Sequence, residues 1–292
     1  MGLFYSALEK ATQAGEAPAA AAPAADWSQA EVRDLAGFPL VPEPGAPAPP
    51  APADAPTQLD PHSLSLIANH AGIAKEQYRI LRTRLLEAIA TQGLRSLLIS
   101  SATAGEGKTI VSANLALQFS SLKEGRILLV DADLRRAGLS ESLRPQPTRG
   151  LGEYLRGEAD WESLLLQVDP WLTVLPAVLS RTEGAELLTS QRLPELLQQA
   201  RTRFDLVLVD GAPVGPVADS RVLARAVDAS VLVVRAGCTN FTAVEEAAAL
   251  LRPGLLGCVL NGAKLARNRY GYGYSYIEDA ATEVAADGEM RA

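Results

Sequence analysis

Histidine and cysteine are nearly missing from this chain, with two of each in 292 residues. Cys238 and Cys258 stand far apart and lack the spacing of a metal site. They read as small core hydrophobes in a reducing compartment, and a disulfide framework is not expected as the basis of the fold. A basic excess is also absent. The formal charge is −7, which argues against a dedicated nucleic-acid binder, whose surface is normally positive. No uninterrupted apolar run approaches the roughly 20 residues that span a bilayer. No basic stretch precedes an apolar block at the N-terminus, so a signal peptide is not expected. Gly2 to Ser6 does fit an N-myristoylation pattern, a short match that is common by chance. What is present is 48% hydrophobic residues, enough for one good-sized core.

Composition changes along the chain mark its parts. Leu3, Phe4, Ala7, Leu8 and Ala11 fall on one side of a helix, so 1–15 reads as a short N-terminal helix. Residues 16–63 carry most of the 19 prolines, interleaved with alanine. Such a stretch holds no long helix and buries little, which predicts a disordered linker with at most a weak helix over 27–40. The N-terminal helix is then either a docking peptide on a tether or a frayed end. Over 64–265 strands and helices alternate, the mark of a mostly parallel sheet with helices on both faces. Strands are expected over 95–101, 126–131, 172–175, 205–210, 229–235 and 255–261. Helices are expected over 71–91, 108–121, 151–155, 161–168, 184–202, 219–226 and 242–251. Pro194 is where the helix over 184–202 could break. Residues 266–292 form a polar tail.

The segment 97–109, LLISSATAGEGKT, runs from an apolar strand through a tight loop into a helix. It matches the P-loop pattern in the context that pattern requires. Gly105 and Gly107 let backbone N–H groups turn inward around phosphate oxygens, and the helix N-terminus adds its partial positive charge. The nucleotide-binding run is Ala104, Gly105, Glu106, Gly107, Lys108, Thr109 and Ile110. Lys108 is expected to reach the β- and γ-phosphates of ATP, and the Thr109 hydroxyl to ligate Mg²⁺. Two more strands end in carboxylates, at Asp131 with Asp133 and at Asp210. The carboxyl ends of parallel strands face the ligand crevice, so these three converge on phosphate and metal. Asp131 and Asp210 are candidate metal ligands. Asp131 or Asp133 could take the proton of an attacking hydroxyl; the competing reading of all three is helix capping. Asn261 ends the last strand on the same edge, suited to a purine edge or to a turn with Gly262.

With these residues in place, the chain resembles the bacterial tyrosine autokinases of exopolysaccharide and capsule biosynthesis, over residues 68–276. The match lies in 102–109 (Walker A), 127–136, ILLVDADLRR (the additional A′ motif), and 206–210 (Walker B). The resemblance implies a P-loop NTPase fold of the MinD-like class. It assigns catalysis to Lys108, Asp131, Asp133 and Asp210. It also implies ring-like self-association through Glu76, Arg79 and Arg82, an E-x-x-R-x-x-R pattern whose plainer reading is a surface ion-pair ladder. Tyr270, Tyr272, Tyr274 and Tyr276 resemble the tyrosine cluster that such kinases phosphorylate on a neighbouring subunit. Expected partners are a separate transmembrane chain-length regulator and an opposing tyrosine phosphatase, with the kinase cytoplasmic and recruited to the inner membrane. Three departures stand out: Ala104 replaces a frequent proline, Gly211-Ala212 replaces Thr/Ser-Pro, and 175–178 lacks a customary glycine.

Two other functions fit the loop: a ParA/MinD-like switch ATPase, and a non-catalytic ATP-binding adaptor of an export complex. The switch ATPases carry a lysine where this chain has Thr103, and have no need of a tyrosine cluster. The intact aspartates speak against an adaptor.

Overall fold

The computed structural model describes residues 57–59, 64, 73–178, 184–215 and 219–263. The expected N-terminal helix, most of the linker and the tyrosine tail lie outside these residues. One sheet of eight strands organises the rest. In chain order the strands are β1 (Thr57–Gln58), β2 (Ser96–Ser101), β3 (Ile127–Asp131), β4 (Leu166–Asp169), β5 (Leu172–Leu175), β6 (Leu206–Asp210), β7 (Ala229–Arg235) and β8 (Leu255–Asn261). Their order across the sheet is β1-β4-β5-β3-β6-β2-β7-β8. All neighbours run parallel except β4 and β5.

The helices are α1 (Ile73–Gln92), α2 (Lys108–Ser120), α3 (Gly138–Ser142), α4 (Leu151–Arg156), α5 (Gly184–Leu188), α6 (Arg192–Arg203), α7 (Asp219–Ala226) and α8 (Phe241–Leu251). They cover both faces, which is why β3 and β6 are apolar at every position before their terminal aspartates. Successive side chains on those strands alternate between two cores. Leu128, Val130, Val207 and Val209 point to one, with Leu196 and Leu197 of α6, Leu223 of α7 and Ala247 of α8. Ile127, Leu129, Leu206 and Leu208 point to the other, with Leu85 and Ile89 of α1 and Leu115 and Phe119 of α2. Each such leucine, fully removed from water, contributes roughly 1.5–3 kcal/mol.

Four expectations need correction. Residues 161–168 are not one helix: a single 3₁₀ turn, Trp161–Leu164, gives way to β4, because pairing with β5 outweighs local helical spacing. The helix over 184–202 is two helices. Its interruption falls at 189–191, where Thr189 Oγ1 donates to Glu186 O at 2.6 Å and Arg192 N donates to Ser190 Oγ at 3.3 Å. Pro194 sits in the first turn of α6, where no N–H is needed, and breaks nothing. Thr57–Gln58, inside the expected linker, pairs with Leu166 and Gln167, and Leu59 and Leu64 are buried.

Candidate active site

Register places the carboxylates. β3 and β6 are neighbours, with Asp131 opposite Asp210, and Ile99 of β2 lies opposite Asp210 on the other side. The loop leaving β2 therefore passes beside both strand ends. Gly105 and Gly107 adopt φ of +84° and +89°, left-handed values that glycine takes without steric cost. A Cβ on Gly107 would also collide with the Asn261 side chain. The helix α2 then begins at Lys108.

Lys108 Nζ forms an ion pair with Asp133 Oδ2 at 2.8 Å, both side chains almost enclosed. Burial disfavours the ammonium, but Asp210, Asp133 and Asp131 outweigh it and hold the lysine pKa above its ordinary value. Asp131 is fully buried, with its pKa pushed up to about 7 by desolvation first and by the Asp210 charge second. Ser140 opposes that rise: its N–H and Oγ–H both donate to Asp131 Oδ2, at 3.0 and 2.6 Å. The Ser140 hydroxyl in turn accepts from Ala177 N–H at 2.7 Å, which fixes the loop that lacks a customary glycine. Burial raises the Asp210 pKa as well, against the pull of Lys108, Thr109 and Ser112.

Mg²⁺ fits this donor set. Asp210 Oδ1 accepts from Ser112 Oγ at 3.0 Å, while Asp210 Oδ2 is buried without a hydrogen-bond partner, a costly state that a cation would relieve. Among the described residues no three acidic, histidine or cysteine side chains could hold a metal by themselves. Mg²⁺ needs no such cage, since it is held by one or two carboxylates together with substrate phosphates and water. Thr109 lies at the same place, its Oγ1 3.5 Å from Lys108 Nζ.

Of the expected site residues, Gly105 to Thr109, Asp131, Asp133, Asp210 and Asn261 come together here, while Ala104 flanks them in sequence and Ile110 is exposed. Asn261 Nδ2 donates to Glu106 O at 2.9 Å, so one of its two amide hydrogens serves the loop. The three residues of the self-association pattern separate. Glu76 and Arg79 pair at 2.7 Å on the surface, whereas Arg82 Nη1 turns inward to Gln118 O at 2.9 Å, at the C-terminal end of α2. The single ladder along one helical face is thus corrected to one pair and one helix-end contact. Gly211 has a packing reason, since a Cβ there would lie 2.6 Å from Leu98 Cδ1. The tyrosines at 270–276 lie outside the described residues. Sequence reasoning missed Ser112, legible as the residue one turn after Lys108, and Ser140, Arg235 and Thr239, for which no motif gave a signal.

No family model matches the chain. The chain is 35% identical over 202 residues to the tyrosine-protein kinase YwqD of Bacillus subtilis, covering 68% of this chain and 85% of that protein. The chain belongs to the bacterial tyrosine-protein kinases. It is also 33% identical over 232 residues to the succinoglycan biosynthesis transport protein ExoP of Rhizobium meliloti, of which it spans only 29%. Among solved structures, the kinase domain of the Escherichia coli tyrosine kinase ETK superposes with a TM-score of 0.64 at 33% identity, covering 72% of this chain and 84% of that one. The expected P-loop NTPase fold of these kinases is therefore the fold observed. Among the described residues no helix is long and apolar enough to cross a membrane.

Proposed function

We propose that this kinase transfers the γ-phosphoryl group of ATP to tyrosine hydroxyls, chiefly Tyr270, Tyr272, Tyr274 and Tyr276 of a neighbouring copy, and so regulates exopolysaccharide polymerisation and export. The observation that carries this reading is the Lys108–Asp133 pair at 2.8 Å beside the phosphate loop, with Asp131 and Asp210 register partners behind it. The loop and Lys108 bind the phosphates. Thr109, Asp210 and Asp131 would hold Mg²⁺, which when bound neutralises charge on the phosphoryl oxygens. Asp133 receives the phenolic proton as the tyrosine oxygen bonds to the γ-phosphorus and the bond to ADP breaks. Its carboxylate lies against the ammonium that contacts the γ-phosphate, whereas Asp131 is already engaged by Ser140. In-line transfer needs positioning and charge stabilisation more than covalent chemistry, which matches a site of one lysine and three carboxylates.

The name of ExoP, a succinoglycan biosynthesis transport protein, supports a place in a polysaccharide system. Within it we propose ring-like self-association and recruitment to the inner membrane by a separate transmembrane regulator that also activates the kinase. The purified chain, incubated with ATP, Mg²⁺ and the cytoplasmic end of that regulator, is expected to gain phosphotyrosine. The signal should vanish in Lys108→Met and in the variant with phenylalanine at 270, 272, 274 and 276. ATP hydrolysis without phosphotyrosine under these conditions would overturn the reading in favour of a switch ATPase. Removing 1–55 spares β1 and should weaken capture by the regulator while leaving ATP binding intact.

A further inference from the structure

The outer half of the phosphate loop is held from outside by residues of β7, β8 and the turn after β7. Arg235 Nη1 donates to Gly105 O at 3.1 Å, and Asn261 Nδ2 donates to Glu106 O at 2.9 Å. Arg235 and Asn261 face each other in the β7/β8 register, and Ala236 N–H donates to Asn261 O at 2.9 Å. The Glu106 carboxylate, itself only 2% exposed, adds a second connection. Its Oε2 accepts from Thr103 N–H at 3.0 Å, and its Oε1 accepts from the Thr239 hydroxyl. That hydroxyl accepts in turn from Arg235 N–H at 3.1 Å.

These contacts have a geometric consequence. In a trans peptide the C=O of one residue and the N–H of the next point in opposite directions within one rigid plane. Fixing the Gly105 and Glu106 carbonyls against Arg235 and Asn261 therefore turns the N–H groups of Glu106 and Gly107 the other way. Those are the groups a P-loop aims at phosphate. Both peptides adjoin left-handed glycines, Gly105 and Gly107, whose freedom would otherwise let the planes rotate. Gly107 also leaves the space that the Asn261 amide occupies.

We infer that Asn261, with the Glu106 side chain and Thr239, is a positioning device for phosphate binding: it orients the loop's N–H groups and acts on the triphosphate, not on the base. Arg235 assists from a more exposed position. The inference rests on the reading of 102–109 as the phosphate site. It departs from the expectation that Asn261 reads a purine edge, because one of its two amide hydrogens is held by the loop carbonyl of Glu106. It also couples the last two strands to the phosphate site, so a change at the turn after β7 reaches the loop through Thr239.

Titrations of the full chain with Mg²⁺ and either ATP or inorganic tripolyphosphate separate the possibilities. Asn261→Ala should weaken both ligands equally, by about tenfold, the worth of one well-made hydrogen bond. Glu106→Ala and Thr239→Val should behave alike, each measured at a temperature where its melting curve shows the variant folded. Glu106→Gln should restore binding, since its carbonyl oxygen can accept from Thr103 N–H while its amide faces the Thr239 hydroxyl oxygen. The kinase assay should show a raised KM for ATP with kcat little changed. Weakened ATP with untouched tripolyphosphate in Asn261→Ala would overturn the inference and make Asn261 a base reader. Wild-type-like binding of both ligands in Asn261→Ala and Glu106→Ala would also overturn it. Failure of the wild type to bind either ligand, or undiminished binding by Lys108→Ala, would instead remove the phosphate-site reading beneath it.

Discussion

Lys108 and Asp133 form a nearly enclosed ion pair, Nζ to Oδ2 at 2.8 Å. The ammonium that we propose for the γ-phosphate is thus shared with the carboxylate that we assign to the acceptor's proton. Asp133→Asn should lower the phosphorylation rate by about 10²–10⁴-fold, the usual contribution of a general base. ATP affinity should be no weaker, because Asp210 and Asp131 still hold the lysine charged. Asp131→Asn should differ by raising the Mg²⁺ concentration needed for half-maximal rate. Steady-state rates at varied ATP and at varied Mg²⁺ check both. A rate within a few-fold of wild type for Asp133→Asn would remove it from the proton's path.

Ser140 deserves separate mutation, since it joins Asp131 to the loop after β5. Ser140→Ala removes the 2.6 Å bond to Asp131 Oδ2 and leaves the Ala177 N–H without its partner. An orphaned buried donor costs roughly 1–3 kcal/mol, so urea denaturation should show a loss in that range. Phosphorylation should slow with ATP affinity nearly unchanged, the pattern of an interaction felt at the reacting atoms. Equal losses in affinity and rate would mean that Ser140 serves only general folding.

The strands that carry the site were legible because parallel strands buried on both faces leave uninterrupted apolar runs. Residues 127–130 and 206–209 ending in aspartate could hardly be anything else. The two-residue β1 and the antiparallel β4 left no such trace. β4 borrows its order from β5, and its residues Leu166 to Val168 continue a helical spacing that starts at Trp161. The convergence of the loop and the carboxylates was legible for a chemical reason, namely that a site for phosphate and metal would demand fixed residue types at fixed spacing. The groups that orient them carry no such demand. Thr239 reaches Glu106 across 133 positions of sequence, and Ser140 reaches Asp131 through a five-residue helix that begins at a glycine. Only the folded chain brings those partners together.

Asp131 is expected to make the stability of the protein depend on pH in the absence of metal. Its folded pKa, about 7, lies above the ordinary 3.8. A carboxyl whose folded pKa is raised stays protonated in the native state after the unfolded chain has released its proton. The folded state therefore binds more protons between pH 4 and 7, and stability falls as pH rises through that window. Urea denaturation in EDTA should give a lower unfolding free energy at pH 8 than at pH 5, by an amount on the order of a few kcal/mol. Asp131→Asn should reduce that slope, leaving the part due to the raised Asp210 carboxyl, and Mg²⁺ with ADP should restore stability at pH 8. A flat profile for the wild type would mean that Asp131 is ionised throughout.

Transfer between copies is the last consequence and the one most specific to the proposed function. Lys108→Met keeps its tyrosine tail but should lack transfer chemistry, while the chain with phenylalanine at 270, 272, 274 and 276 keeps the chemistry but offers no acceptor. Neither alone should gain phosphotyrosine. Mixed with ATP, Mg²⁺ and the regulator's cytoplasmic end, they should label the Lys108→Met copy only, as mass spectrometry of the tail peptide would show. The rate should rise with total protein concentration, because the acceptor must arrive from another molecule. Arg79→Ala removes the Glu76 ion pair at 2.7 Å from the surface of α1 without touching the site. If that surface joins the copies, labelling should fall and should recover at high protein concentration. Silence in the mixture, with strong labelling of the wild type alone, would place the transfer within one chain.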